Sequence, residues 1–274
     1  MVNGLGAEAD FIRAALDEEE RSRLEREGDQ TLILVDTPTV ESQAKTFIYN
    51  TLPFGIILLP DHLVTVCLKE TALVRAFSEG IVRDFSTKKK NRMTLQMLYR
   101  NSTLFLFYLR QVDKASTRVE NELHLSMKNK ELIQMLGLEK SLVYFSTALK
   151  SNENVLERLM RVDFVRNYPD DSELLEDVII ENKQAIEMAN IYRDILGGTM
   201  DAFASVISNN LNIVMKRLTS ITIVLSIPTL IFSFWGMNVP MIFEDNPLGV
   251  VYVALLALVV SAVTVYGMAK RKWF

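Results

Sequence analysis

The sequence predicts an α+β membrane protein: an N-terminal cytoplasmic α/β domain, a long helical stalk and two C-terminal transmembrane helices. Three observations carry this. Two uncharged stretches near the C-terminus, Leu218–Trp235 and Leu248–Met268, hold eighteen and twenty-one residues. At 1.5 Å per residue the shorter one covers about 27 Å as a helix, close to a bilayer's hydrocarbon core. A helical pattern with no proline runs from Asp171 to Pro228. Short apolar runs bounded by turn residues fall between residues 31 and 68, as strands do.

In chain order, Asp17-Glu18-Glu19-Glu20-Arg21 opens a charged stretch read as helical and solvated. Strands are expected at Thr31–Val35, ended by Asp36-Thr37-Pro38, and at Thr46–Tyr49, Gly55–Leu59 and Leu63–Leu68. Pro60-Asp61-His62 joins the last two as a hairpin. A helix follows over Thr71–Val82. Lys88-Lys89-Lys90-Asn91-Arg92 is read as a solvated helix start, because the aromatic interleaving of a nucleic-acid site is missing. From Thr94 to Val165 the pattern is helical, and Gly137 splits its later part into two arms, about 112–135 and 138–166.

Asn167-Tyr168-Pro169 marks a break. Asp170 is placed to cap the next helix, with Glu173 completing a capping box. Apolar positions then recur at steps of three and four from Leu175 to Leu218, which lets helices from several copies pack along their length. Unbroken to Trp235, this helix is about 65 residues and roughly 100 Å long. Gly197-Gly198 interrupts it, either as a hinge or as a point of close helix packing.

Composition excludes several classes. One cysteine, Cys67, rules out an intramolecular disulfide or a thiolate metal cluster, and the two histidines, His62 and His124, are far apart. Metal held here is held by oxygen, which suits a hard cation. No Gly-rich phosphate loop and no catalytic Ser-His-Asp or Cys-His set can be assembled, so neither an enzyme nor an organic cofactor is expected. A net charge of −4 argues against nucleic acid as a partner. The charge is uneven. Residues 201–274 carry +2, with Lys216, Arg217, Lys270, Arg271 and Lys272 against Asp201, Glu244 and Asp245, and residues 1–200 carry −6. The basic collar flanks the two spans, and the short loop between them holds only Glu244 and Asp245. The positive-inside rule then puts both termini in the cytoplasm of a multi-pass cell-membrane protein.

Within the first span, Thr222, Ser226, Thr229 and Ser233 recur at steps of four, three and four, so they share a helix face. The same face, carried toward the N-terminus, takes in Leu218, Met215 and Leu211 or Asn212. A hydroxyl stripe in a membrane helix serves helix packing or lines a pore, and spacing alone leaves both open. Gly236-Met237-Asn238 stands at its outer end.

Those three residues, preceded by Phe234-Trp235, together with Asp201, Ser205, Ser208-Asn209, Asn212, Val214-Met215-Lys216 and Leu218-Thr219, resemble the CorA family of divalent-cation channels. The resemblance covers the C-terminal half well and the N-terminal half in outline. It implies a homopentamer forming a funnel, Gly236, Met237 and Asn238 as selectivity filter, and a regulatory Mg²⁺ site at Asp201, with Asp84 as a candidate partner. The sequence pattern divides the chain at 1–111 (α/β), 112–170 (helical hairpin), 171–217 (stalk), 218–268 (spans 218–235 and 248–268 with outer loop 236–247) and 269–274 (basic tail). Trp235 stands where the family usually has Tyr, Ser226 where a Met ring is common, and Val239–Asp245 replaces the family's acidic loop motif.

A mechanism follows from the geometry of such a ring. Two spans per chain cannot enclose a pore. Four inner helices about 10 Å wide leave a hole of roughly 2 Å radius, five about 3.5 Å and six about 5 Å. Hydrated Mg²⁺ has a radius of roughly 3.5 Å and sheds water reluctantly, so five helices fit it and the filter should bond its water shell. Thr222, Ser226, Thr229 and Ser233 would line a wet pore, and Met215 and Leu218 a hydrophobic constriction. The expected activity is Mg²⁺ influx, with Co²⁺ or Ni²⁺ also carried. Two alternatives remain: Zn²⁺ transport, as in the related ZntB branch, and a membrane-anchored sensor that transports nothing.

Overall fold

The computed structural model describes residues 4, 6–43, 46–82, 85–126, 129–162, 164, 169–238 and 247–271. The chain divides into two compact units, Met1–Met200 and Asp201–Phe274.

The first unit is built on a four-stranded antiparallel meander in the order β1 (Arg23–Glu27), β2 (Gln30–Gln43), β3 (Thr46–Leu58), β4 (Leu63–Cys67). Helix α1 (Ala9–Ala15) covers one face, with Phe11, Ala14 and Ala15 packed on Leu32, Leu34, Ile57 and Val66. The other face carries Ile33, Val35, Phe54 and Ile56. It packs on α2 (Ala72–Ser78), α3 (Lys90–Ser126), α4 (Asn129–Arg161) and the first turns of α5 (Pro169–Trp235) through Leu73, Leu98, Leu156 and Val178. A sheet covered on both faces explains why Leu32–Val35 is an unbroken apolar run rather than an alternating one. Gly55 is required here: a Cβ on it would stand 2.6 Å from the Ala15 Cβ, so only glycine lets α1 lie this close to β3.

Several sequence expectations are corrected. Residues 17–22 form no helix; Asp17 Oδ1 accepts from the Glu19 N–H, folding a turn into β1. The expected Thr46–Tyr49 and Gly55–Leu59 strands are one strand, and β2 continues through Asp36-Thr37-Pro38, with Asp36 opposite Pro53 and Pro38 opposite Thr51. Proline usually ends a strand because it lacks an N–H. Around Asp36, side chains of the helices take over. The Asp36 N–H donates to Asn152 Oδ1 at 2.8 Å, and its carbonyl accepts from Asn152 Nδ2 at 2.9 Å and Asn101 Nδ2 at 2.8 Å.

Gly137 does not split the helices; it lies inside α4, and α3 runs unbroken across residues 111–112. Asp170 does not cap α5. The helix begins at Pro169, whose ring suits a first helical position, and Asp170 and Asp171 occupy the first turn. Asp171 is buried and accepts from Arg92 Nη1 at 3.1 Å. The basic run serves the fold at one more point: Lys90 Nζ donates to the Leu59 carbonyl at 2.7 Å and to that of Pro60, tying the start of α3 to the β3–β4 turn.

Helix α5 spans 67 residues and continues through Gly197-Gly198 and Pro228. An added Cβ at either glycine would meet nothing within 4 Å, so close packing inside this chain does not explain the pair. In the first unit, α5 buries Leu175, Val178, Ala185 and Ala189 against its neighbours. Asn182 Nδ2 donates to the Leu149 carbonyl at 3.1 Å, and Ser146 Oγ to Asn190 Oδ1 at 3.1 Å, bracing α5 on α4.

The second unit holds the rest of α5 and α6 (Gly249–Lys270). Both are long and apolar enough to cross a membrane, and only 6% and 17% of their apolar windows are buried within the chain. Nearly all of that apolar surface is therefore left for lipid or for other copies. Among the described residues of this unit the buried positions are Phe203 and Ser220 on α5 and Gly249, Val253 and Ala257 on α6, the last three at steps of four.

Candidate functional site

The hydroxyl face of the first span lies along a groove of about 640 Å³ lined by Thr222, Leu225, Ser226, Thr229, Leu230, Ser233, Phe234 and Met237. The four predicted hydroxyl residues are all there. Leu225, Leu230 and Phe234 were not predicted. Each sits one position from a hydroxyl, so the same 3.6-residue period contains them; polarity drew attention to only half of the stripe.

Three hydroxyls have a defined donor role. Thr222 Oγ1 donates to the Leu218 carbonyl at 2.9 Å, Ser226 Oγ to that of Thr222 at 2.7 Å and Thr229 Oγ1 to that of Leu225 at 3.0 Å. A hydroxyl has one proton and two lone pairs. With the proton committed to the carbonyl one turn back, each oxygen offers only acceptors to whatever fills the groove. That polarity suits donors, among them water molecules oriented outward by a cation. None of these three bonds reaches the Val224 carbonyl that Pro228 leaves without its helical partner.

Helix α5 ends where the groove ends. The Gly236 N–H donates to the Phe232 carbonyl at 2.9 Å and the Met237 N–H to that of Phe234 at 3.4 Å. A Cβ on Gly236 would stand 3.2 Å from the Phe232 oxygen, a tight contact that the helix end would have to give by a few tenths of an ångström to admit. Met237 and Asn238 are exposed just past the helix end.

The other candidates fall outside the groove. Asn212, Met215 and Leu218 are exposed on α5 before Thr222, Met215 at 51% and Leu218 at 57%. Asp201 is exposed on the same helix, and its candidate partner Asp84 lies outside the described residues. Among the described residues, no group of three His, Cys, Asp or Glu side chains is placed to hold a metal ion. Lys216 and Arg217 precede the first span and Lys270 and Arg271 end the second, all exposed. Glu244, Asp245 and Lys272 lie outside the described residues.

Comparison with known proteins agrees across the whole chain. Residues 4–271 match the family described as CorA-like Mg²⁺ transporter protein. The cobalt/magnesium transport protein CorA of Methanocaldococcus jannaschii is 28% identical over 98% of this chain and 85% of its own length. The complete structure of the CorA magnesium transporter from that organism superimposes with a TM-score of 0.86 at 25% identity, covering 100% of this chain and 86% of that one. The cytoplasmic domain of ZntB from Vibrio parahaemolyticus is more distant, with a TM-score of 0.55 at 11% identity over 77% of this chain and 82% of that one, a likeness of fold alone.

Proposed function

The chain belongs to the CorA-like Mg²⁺ transporter family, and we propose that it forms a homopentameric channel for hydrated divalent cations, Mg²⁺ first and Co²⁺ or Ni²⁺ after it. The observation that carries this reading is the donor commitment of Thr222, Ser226 and Thr229, which leaves a ladder of acceptors along the groove. Mg²⁺ keeps its water shell at low cost and loses it at high cost, and its waters donate outward. An acceptor-lined path binds that shell without stripping it. Asn238 offers the same chemistry at the outer end through its amide oxygen, and Gly236 and Met237 complete the filter.

Both termini lie in the cytoplasm, and the membrane potential drives entry with about 4.6 kcal/mol per divalent ion per 100 mV. Cytoplasmic Mg²⁺ bound at Asp201 holds the channel shut. Met215 and Leu218, exposed and apolar, close the inner part of the path by excluding water.

The test is metal uptake by the purified protein in liposomes, with Mg²⁺, Co²⁺ and Zn²⁺ offered separately against an inside-negative potential. Mg²⁺ uptake that Asn238→Ala abolishes, with assembly intact by size-exclusion chromatography, is the expected result. Preference for Zn²⁺ would move the chain to the ZntB-like reading. No flux of any of the three would leave a membrane-anchored sensor.

A further inference from the structure

A polar cluster inside the first unit takes no part in this proposal. Ser22, just before β1, places its Oγ 3.1 Å from Asp36 Oδ2 and 3.0 Å from Asn152 Oδ1. The orientation of Asn152 is fixed, because the Asp36 peptide holds it at both ends: its Oδ1 accepts from the Asp36 N–H and its Nδ2 donates to the Asp36 carbonyl. Its oxygen is therefore an acceptor. Ser22 thus faces two oxygens with one proton. If Asp36 is ionised, one of the two close oxygen pairs has no proton between its atoms. If Asp36 is protonated, its carboxyl donates to Ser22, Ser22 donates to Asn152, and Asn152 Nδ2 donates to the Asp36 carbonyl. The ring then closes with every oxygen pair bridged.

We propose that Asp36, Ser22 and Asn152 form a proton-operated latch that fastens β2 and the lead into β1 to α4. The latch is closed when Asp36 holds its proton and strained when it does not. Its place gives it reach, because α4 is braced in turn on α5 by Asn182 and Ser146, and α5 continues as the first membrane span.

The surroundings of Asp36 favour the proton. Burial pushes its carboxyl up to about 6; a Ser22 bond donated to the ionised carboxylate opposes that rise, but the closed latch gives the Ser22 proton to Asn152 Oδ1. Charged groups on the elements around it include Arg23 on β1, Arg100 on α3, and Glu153, Glu157, Arg158 and Arg161 on α4; β3 puts the uncharged Pro53 opposite. Arg23 is engaged by Glu20 and Glu25, and Arg161 by Glu157. Among the described residues none of these charges contributes to the raised value. The sign is set by the raised acid. Between its ordinary value of 3.8 and about 6 the folded protein binds more protons at this site than the unfolded chain, so the latch's contribution falls as pH rises through that window and is absent above it.

The experiment uses the full-length protein in detergent micelles. Thermal midpoints are recorded from about pH 4 to pH 8 for wild type, Asp36→Asn and Ser22→Ala. Asp36→Asn carries an amide that donates to Ser22 without titrating. It should remove the pH dependence between 3.8 and about 6 and leave the protein more stable than wild type at the alkaline end. Ser22→Ala deletes the acceptor of the carboxyl's proton, so the upper edge of the window should move to lower pH. Superimposable pH profiles for wild type and Asp36→Asn overturn the latch, as does a Ser22→Ala transition that stays in place or moves to higher pH. If Asp36→Asn fails to fold, the Ser22→Ala shift decides by itself.

Discussion

The Ser226 hydroxyl donates to the Thr222 carbonyl at 2.7 Å, and Thr222 in turn donates to Leu218 at 2.9 Å. The two side chains look toward the groove with lone pairs only. Thr222→Val and Ser226→Ala keep the size of the face and delete its acceptors. At about 1 kcal/mol of lost hydrogen bonding to the ion's water for each site, the double variant should carry Mg²⁺ roughly 10- to 30-fold more slowly. Liposome flux measures this. Wild-type flux in the double variant would mean that the stripe serves helix packing.

The constriction is tested separately. Met215 and Leu218 are apolar and exposed on the helix that the proposed channel turns toward other copies. Leu218→Asn or Met215→Ser replaces a dewetting ring with one that stays wet, and resting conductance should rise in both. Planar-bilayer recording at millimolar Mg²⁺ reads the leak. Unchanged conductance in both variants would place the gate elsewhere.

The proposed regulation turns on Asp201. Like-charged carboxylates at a subunit interface repel, and a bridging Mg²⁺ favours the closed arrangement. Five sites at about 1 kcal/mol each supply about 5 kcal/mol, near what is needed to swing a two-state equilibrium fully. Asp201→Ala should blunt the Mg²⁺ response without blocking conduction, and Asp201→Lys should hold the channel closed at every Mg²⁺ level. Current and protease protection titrated from micromolar to millimolar Mg²⁺ are the readouts. Identical titrations for wild type and Asp201→Ala would remove Asp201 from the sensor.

The fold has its own test at Gly55, where an added Cβ would stand 2.6 Å from that of Ala15. Gly55→Ala should cost about 1–3 kcal/mol by pushing α1 off the sheet. Adding Ala15→Gly should recover much of that loss, because it removes the other carbon. Thermal midpoints of the full-length single and double variants give the comparison. Equal losses in both would show that the close approach is not the cause.

The features legible in the chain alone have a local physical cause. Freedom from charge over Leu218–Trp235 and Leu248–Met268 is enough to mark the two apolar helices, since only lipid or partner chains accept such surfaces. The step of three and four residues that groups Thr222, Ser226, Thr229 and Ser233 is a property of the helix itself, so the groove-facing hydroxyls could be read before the fold was known. The leucines and phenylalanine between them were hidden because apolar residues in an apolar span carry no contrast. The sheet was less legible because its continuity is not local. Pro38 and Pro53 argue for breaks, and β2 and β3 pair through them where Asn101 and Asn152, 65 and 116 residues further on, supply the bonds that the Asp36 peptide needs. The same distance in sequence conceals the meeting of Ser22, Asp36 and Asn152. No pattern along the chain announces three polar side chains from separate elements, and only the packing of α3 and α4 on the sheet brings them within hydrogen-bonding reach.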